Sequence, residues 1–117
     1  MPDPRLIVVE VTPEGLNVPN IIDLDLEELE EAEWFCPQGT LEVRFSSSTT
    51  ENPFPGDGGY QAPAGGSCVS GEPVNGELWK SYKYSVIVTT DENPPRVLTV
   101  DPRVRMVSRI RFRPGQI

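Results

Sequence analysis

The chain contains no histidine. That absence removes the imidazole on which Ser-His-Asp and Cys-His triads depend, and it removes the commonest nitrogen ligand for zinc and copper. Cysteine is nearly as scarce. Cys36 and Cys68 lie 32 positions apart with no CxxC pair, so four soft positions around a zinc ion cannot be filled. A thiol nucleophile needs a partner that lowers its pKa, and the sequence offers none. The two cysteines therefore read as small buried apolar residues, the alternative being one disulfide that closes a long loop. No apolar run approaches 18 residues, so no segment has the length of a membrane-spanning helix.

Positive charge is also in short supply. Ten basic side chains face 18 acidic ones, for a net charge of −8. Binding to nucleic acid or an anionic membrane surface needs surplus lysine and arginine, so neither is expected. The deficit is unevenly spread. Residues 1–95 hold 4 basic and 17 acidic side chains, whereas residues 96–117 hold six arginines and one acid, Asp101. Such a split points to pairing within or between chains. The opening Met1-Pro2-Asp3-Pro4-Arg5 leads into a strand-like run without the apolar core of a secretory signal, which makes a cytoplasmic setting the expectation.

What is present is the vocabulary of a β protein. The 117 residues fit one domain, spanning 1–117. Ten glycines and thirteen prolines punctuate short apolar runs. Leu6 to Thr12 is rich in β-branched residues, with Ile7, Val9 and Val11 on one face. Ile22, Leu24 and Leu26 alternate with acids. A turn near Leu29 precedes a strand through Phe35, although Glu27 to Glu33 also contains good helix formers. Leu41, Val43 and Phe45 alternate with Glu42 and Arg44. From Glu51 to Asn75 the chain reads as loop, with a strand-like piece at Ser67 to Ser70. The longest strand pattern is Leu78 to Thr90, with Tyr82, Tyr84, Val86 and Val88 on one face, and Arg96 to Val100 returns beside it. The expectation is an all-β sandwich of about seven strands, cupredoxin-like or immunoglobulin-like, with Trp34, Phe45, Tyr84 and Val86 in its core.

The order of these features resembles small bacterial cupredoxin-like domains. Trp34 is followed by the strand Leu41-Glu42-Val43-Arg44-Phe45, the Pro53-Phe54 loop and the Pro63-Ala64-Gly65-Gly66-Ser67 turn. Tyr82-Lys83-Tyr84-Ser85-Val86 and Val97-Leu98-Thr99-Val100-Asp101-Pro102 complete the series. The resemblance covers roughly residues 6 to 104 and implies a scaffold, not an activity. Copper-binding members gather Cys, His and Met ligands in the loop between the last two strands. Here that loop, Thr89 to Arg96, has none of them, so no metal or other cofactor is expected.

Four features invite a function. The carboxylates are numerous enough for a glycosidase-like pair, but a solvated acidic face and turn is the plainer reading. Gly56-Asp57-Gly58-Gly59 lacks the Lys-Ser/Thr of a phosphate loop and reads as a turn. Phe54, Tyr60 and Trp79 could line a carbohydrate or peptide site, or close the end of the sandwich. The remaining feature is the C-terminal stretch 103–117, read as a basic arm or a last strand. Arg103, Arg105, Arg109, Arg111 and Arg113 all fall at odd positions, opposite Val104, Met106, Ile110 and Phe112. The candidate partner-binding residues are therefore Arg103, Arg105, Arg109, Ile110, Arg111, Phe112 and Arg113. The leading expectation is a non-enzymatic, metal-free protein-binding or self-assembly module. The alternative is a small carbohydrate-binding or carboxylate-dependent hydrolase domain.

Overall fold

The computed structural model describes residues 3–46 and 51–108. Every regular element among them is a β-strand: β1 (Arg5–Val8), β2 (Glu10–Thr12), β3 (Gly15–Asn17), β4 (Ile21–Asp25), β5 (Ala32–Phe35), β6 (Gly39–Phe45), β7 (Gly59–Ala62), β8 (Ser67–Val69), β9 (Ser81–Thr90), β10 (Val97–Val100) and β11 (Arg103–Val107). The all-β, sandwich-like architecture expected from the alternating runs is the architecture observed. Eleven short segments carry what the sequence groups into about seven runs.

One sheet has the order β1-β5-β8. A larger one has the order β4-β11-β9-β6-β7, with β10 pairing to β9. The hairpin β2-β3 stands beside them. Period-two alternation builds the core between the sheets. β9 turns Tyr82, Tyr84, Val86 and Val88 inward, and β6 contributes Leu41, Val43 and Phe45. The smaller sheet adds Ile7, Trp34 and Cys68, which sit opposite one another in register. The sequence-based core of Trp34, Phe45, Tyr84 and Val86 is buried throughout.

Aromatic rings concentrate at the middle of this interface. Phe45 stacks on Tyr84 with centroids 4.9 Å apart, Trp34 meets Tyr84 edge-on at 5.5 Å, and Phe54 meets Phe45 edge-on at 5.3 Å. Offset and edge-to-face contacts of this kind add to plain area burial.

The strand bounds depart from the sequence reading in particular places. The run Leu6 to Thr12 breaks at Val9 into β1 and β2, because Val9 still donates to Phe35 O while the following residues pair with β3. Gly59–Ala62 forms β7 inside the stretch read as loop, pairing with β6. Leu78 to Lys80 lies outside β9, which begins at Ser81. Trp79 there has φ of 65°, a left-handed conformation that ends the extended run. Two pairings, β1 with β5 and β4 with β11, are parallel. Local patterning does not announce parallel pairs, because their partners come from distant parts of the chain.

Candidate interaction surface

The C-terminal arginines divide into two groups. Arg103 and Arg105 lie in β11, which runs parallel to β4 and antiparallel to β9. Residues 103–107 are thus part of the larger sheet. Arg105 faces Asp23 in register and grips it through two hydrogen bonds, Nε to Oδ1 at 2.9 Å and Nη2 to Oδ2 at 3.0 Å. This bidentate pair, together with the attraction of the Asp23 charge, raises the guanidinium pKa further. Arg103 is exposed and stands opposite Lys83. Arg109, Ile110, Arg111, Phe112 and Arg113 lie outside the described residues.

The acidic stretch between β4 and β5 is a built turn. Asp25, itself buried, accepts on Oδ1 from the amides of Glu27 at 3.0 Å and Glu28 at 3.4 Å. Glu30, also buried, accepts the amide of Asp25 on Oε1 at 3.0 Å and donates its own amide to the Asp25 carbonyl at 3.0 Å. Glu33 accepts from the Ser67 hydroxyl at 2.7 Å. So Asp23, Asp25, Glu30 and Glu33 hold structure, while Glu27 and Glu28 face solvent. At the tip, Leu29 adopts φ of 53° and is 42% exposed.

This turn sits at the end of the molecule where β11 finishes. The amide of Leu26 donates to Val107 O at 2.9 Å, and the amide of Trp79 donates to Met106 O at 2.6 Å. The acidic turn and the Leu78-Trp79 segment therefore flank the last residues of β11 on either side. Their attachment points are on the order of two strand spacings, about 10 Å, apart. Leu78 is 44% and Trp79 63% exposed. A second apolar surface lies on the outer face of the smaller sheet, where Leu6, Val8 and Val69 are exposed and Phe35 is half-buried. Beside it, a shallow groove of about 610 Å³ opens between β1 and β4, lined by Arg5, Leu6, Ile21 and Arg105 among others.

The aromatic set suggested by the sequence does not converge. Phe54 is buried against Phe45. Tyr60 stacks on Trp34 at 5.8 Å, and its phenol is pushed up to about 12, chiefly by burial, with Asp57 adding to it. Trp79 lies instead on the β11 flank. The cysteines are free and buried. Burial and the neighbouring Glu33 raise the Cys68 thiol to about 11, the opposite of what a nucleophile needs. Among the described residues no cluster of three or more carboxylates and thiols is placed to hold a metal ion, and no helix is long and apolar enough to cross a membrane.

Trp79, one of the aromatics singled out in the sequence, is exposed, whereas the exposed Leu29 and Leu78 were not singled out there. Leu29 and Trp79 also adopt left-handed backbone at non-glycine positions, which leaves no signature in residue type. No protein-family profile matches the chain, and neither the curated proteins nor the solved structures contain a match.

Proposed function

We propose that the chain is a non-enzymatic, metal-free protein-binding or self-assembly module, built on a cupredoxin-like scaffold from which the copper ligands have been lost. One observation carries this reading. The strand that leads into the arginine-rich C-terminal segment ends against an acidic turn, through the hydrogen bond from Leu26 to Val107. The arginine-rich sequence after Ser108 therefore begins beside an acidic turn, in a chain that is otherwise strongly acidic. Charge of this kind steers encounter, and the apolar Ile110 and Phe112 between the arginines supply burial once contact is made. A cytoplasmic setting accords with the two free, buried thiols.

Less supports the carbohydrate-binding or hydrolase alternative. Phe54 and Tyr60 are spent on the core, and four of the carboxylates between Asp23 and Glu33 are engaged in hydrogen bonds or an ion pair. The test is light scattering of the full-length protein beside a version ending at Ser108. Low salt is compared with about 1 M salt, where screening acts within roughly 3 Å. Full-length protein should associate at low salt, and the shortened one should remain monomeric. Monomers in every condition would reject self-assembly through this segment.

A further inference from the structure

The assembly reading leaves open what receives the C-terminal segment. We infer that residues 109–117 of one copy dock on the end of a second copy formed by Glu27, Glu28, Leu29, Leu78 and Trp79. The inference rests on the proposed assembly function and specifies its contact. Chemistry matches on both sides. The segment alternates Arg109, Arg111 and Arg113 with Ile110 and Phe112. The receiving end offers two solvated carboxylates, Glu27 and Glu28, beside three exposed apolar side chains, of which Trp79 is the largest and the most open. An exposed tryptophan takes both an apolar side chain and an arginine, the latter over its ring face, and the two carboxylates across β11 add charge for the other arginines.

The receiving surface is held ready rather than left loose. Asp25 and Glu30, both buried, fix the turn that carries Glu27 to Leu29. The backbone bond to Met106 fixes Trp79. Both Leu29 and Trp79 keep left-handed backbone, φ 53° and 65°, which costs a non-glycine residue energy that surrounding structure must offset.

Docking between copies follows from where the segment departs. Leu26 and Trp79 flank the last residues of β11 itself, so a segment returning to its own receiving end would have to reverse within a residue or two of Ser108. Residues 108–113 contain neither glycine nor proline, and the first turn-forming pair is Pro114-Gly115, beyond the arginines. Nine extended residues reach about 30 Å, enough to meet a neighbour. The contact joins two different surfaces, so copies add head to tail and close a ring or continue as a filament.

The experiment measures sedimentation of full-length protein, Trp79→Ser and Glu27→Lys/Glu28→Lys at low salt. It also titrates full-length protein with a synthetic peptide of residues 109–117, following tryptophan emission. Trp34 is fully buried, so Trp79 carries the change. The expected result is association of full-length protein, as a closed ring of two or more copies or as a filament. Trp79→Ser weakens it at least about 30-fold, as loss of an aromatic anchor does, and the charge reversal abolishes it. The peptide dissociates the assembly and shifts Trp79 emission to the blue. Association that persists at wild-type strength in both variants overturns the docking site while leaving the assembly function intact. Monomeric full-length protein that also ignores the peptide overturns both.

Discussion

The indole N–H of Trp34 donates to the hydroxyl of Tyr84 at 3.2 Å across the core, joining the smaller sheet to the larger. Both residues are fully buried. Each supplies the other's polar atom with a partner that solvent cannot replace. Trp34→Ala removes the bond together with the largest side chain in the core and should cost about 3–5 kcal/mol. Tyr84→Phe keeps the ring but leaves the indole donor buried and unpaired, and should cost about 1–3 kcal/mol. Urea denaturation measures both. An unchanged midpoint in Trp34→Ala would mean that the strand register is wrong.

Alkaline pH should weaken the fold. The Tyr84 and Tyr60 phenols are raised to about 12 and the Cys68 thiol to about 11, in each case mainly by burial. These are acids whose neutral form the folded state prefers. In the unfolded chain they ionise first, near pH 9 for the thiol and pH 10 for the phenols, so stability falls as pH rises above those values until the folded groups ionise too. A denaturation midpoint followed from pH 8 to pH 11 should decline first from the thiol and then more steeply from the phenols. Cys68→Ala should remove the earliest part. A midpoint flat to pH 11 would contradict the burial of these groups.

Gly39 opens β6 where no other residue fits. A Cβ built there would lie 2.5 Å from the Thr89 carbonyl oxygen and 2.8 Å from Val88 Cγ1. The pairing of Gly39 with Thr90 fixes that approach. Gly39→Ala must push β6 away from β9, and a cost of about 1–3 kcal/mol is expected, as for other overpacked sites. Thermal melting checks it, and a variant as stable as the wild type would show that β6 and β9 separate at their ends.

How much of this was legible in the chain depends on the range of the interaction. Alternation in Leu41 to Phe45 and Tyr82 to Val88 reveals both the strands and their inward faces, because that pattern is local. The aromatic core follows from it. β7 was hidden because Tyr60 and Ala62 are its only two inward residues, too short an alternation to stand out after a glycine-rich turn, and its strand identity comes from β6 alongside. The acidic run Asp23 to Glu33 shows its charge openly. Nothing in residue type separates Asp25 and Glu30, which turn inward to hold the backbone, from Glu27 and Glu28, which face solvent. The Arg105 to Asp23 pair was foreseeable only as charge complementarity, since the parallel register that aligns them joins residues 82 positions apart.

The thiols should be accessible only through unfolding. Cys36 and Cys68 are free and buried, and an enclosed thiol reacts slowly because reagent cannot reach it. Titration with a thiol reagent and no reductant should label neither cysteine quickly in native protein, and both in urea. Failure to label either in urea would reveal a disulfide.

The turn at Leu29 separates stability from association. Leu29 pays a conformational cost at φ of 53°, where a residue with a side chain is disfavoured by about 1–2 kcal/mol and glycine is not. Leu29→Gly relieves that cost and gives up the partial burial of the leucine, worth a similar amount. The denaturation midpoint should therefore stay nearly unchanged. Glu30→Ala behaves differently. It leaves the Asp25 amide without its acceptor inside the turn, so stability should fall by about 1–3 kcal/mol. Association should weaken in both variants, because Leu29→Gly removes an apolar contact and Glu30→Ala lets the turn move. Denaturation and sedimentation on the same samples make the comparison. If Leu29→Gly lowers the midpoint sharply and leaves association unaltered, the leucine is there to pack the turn, and the docking surface does not include it.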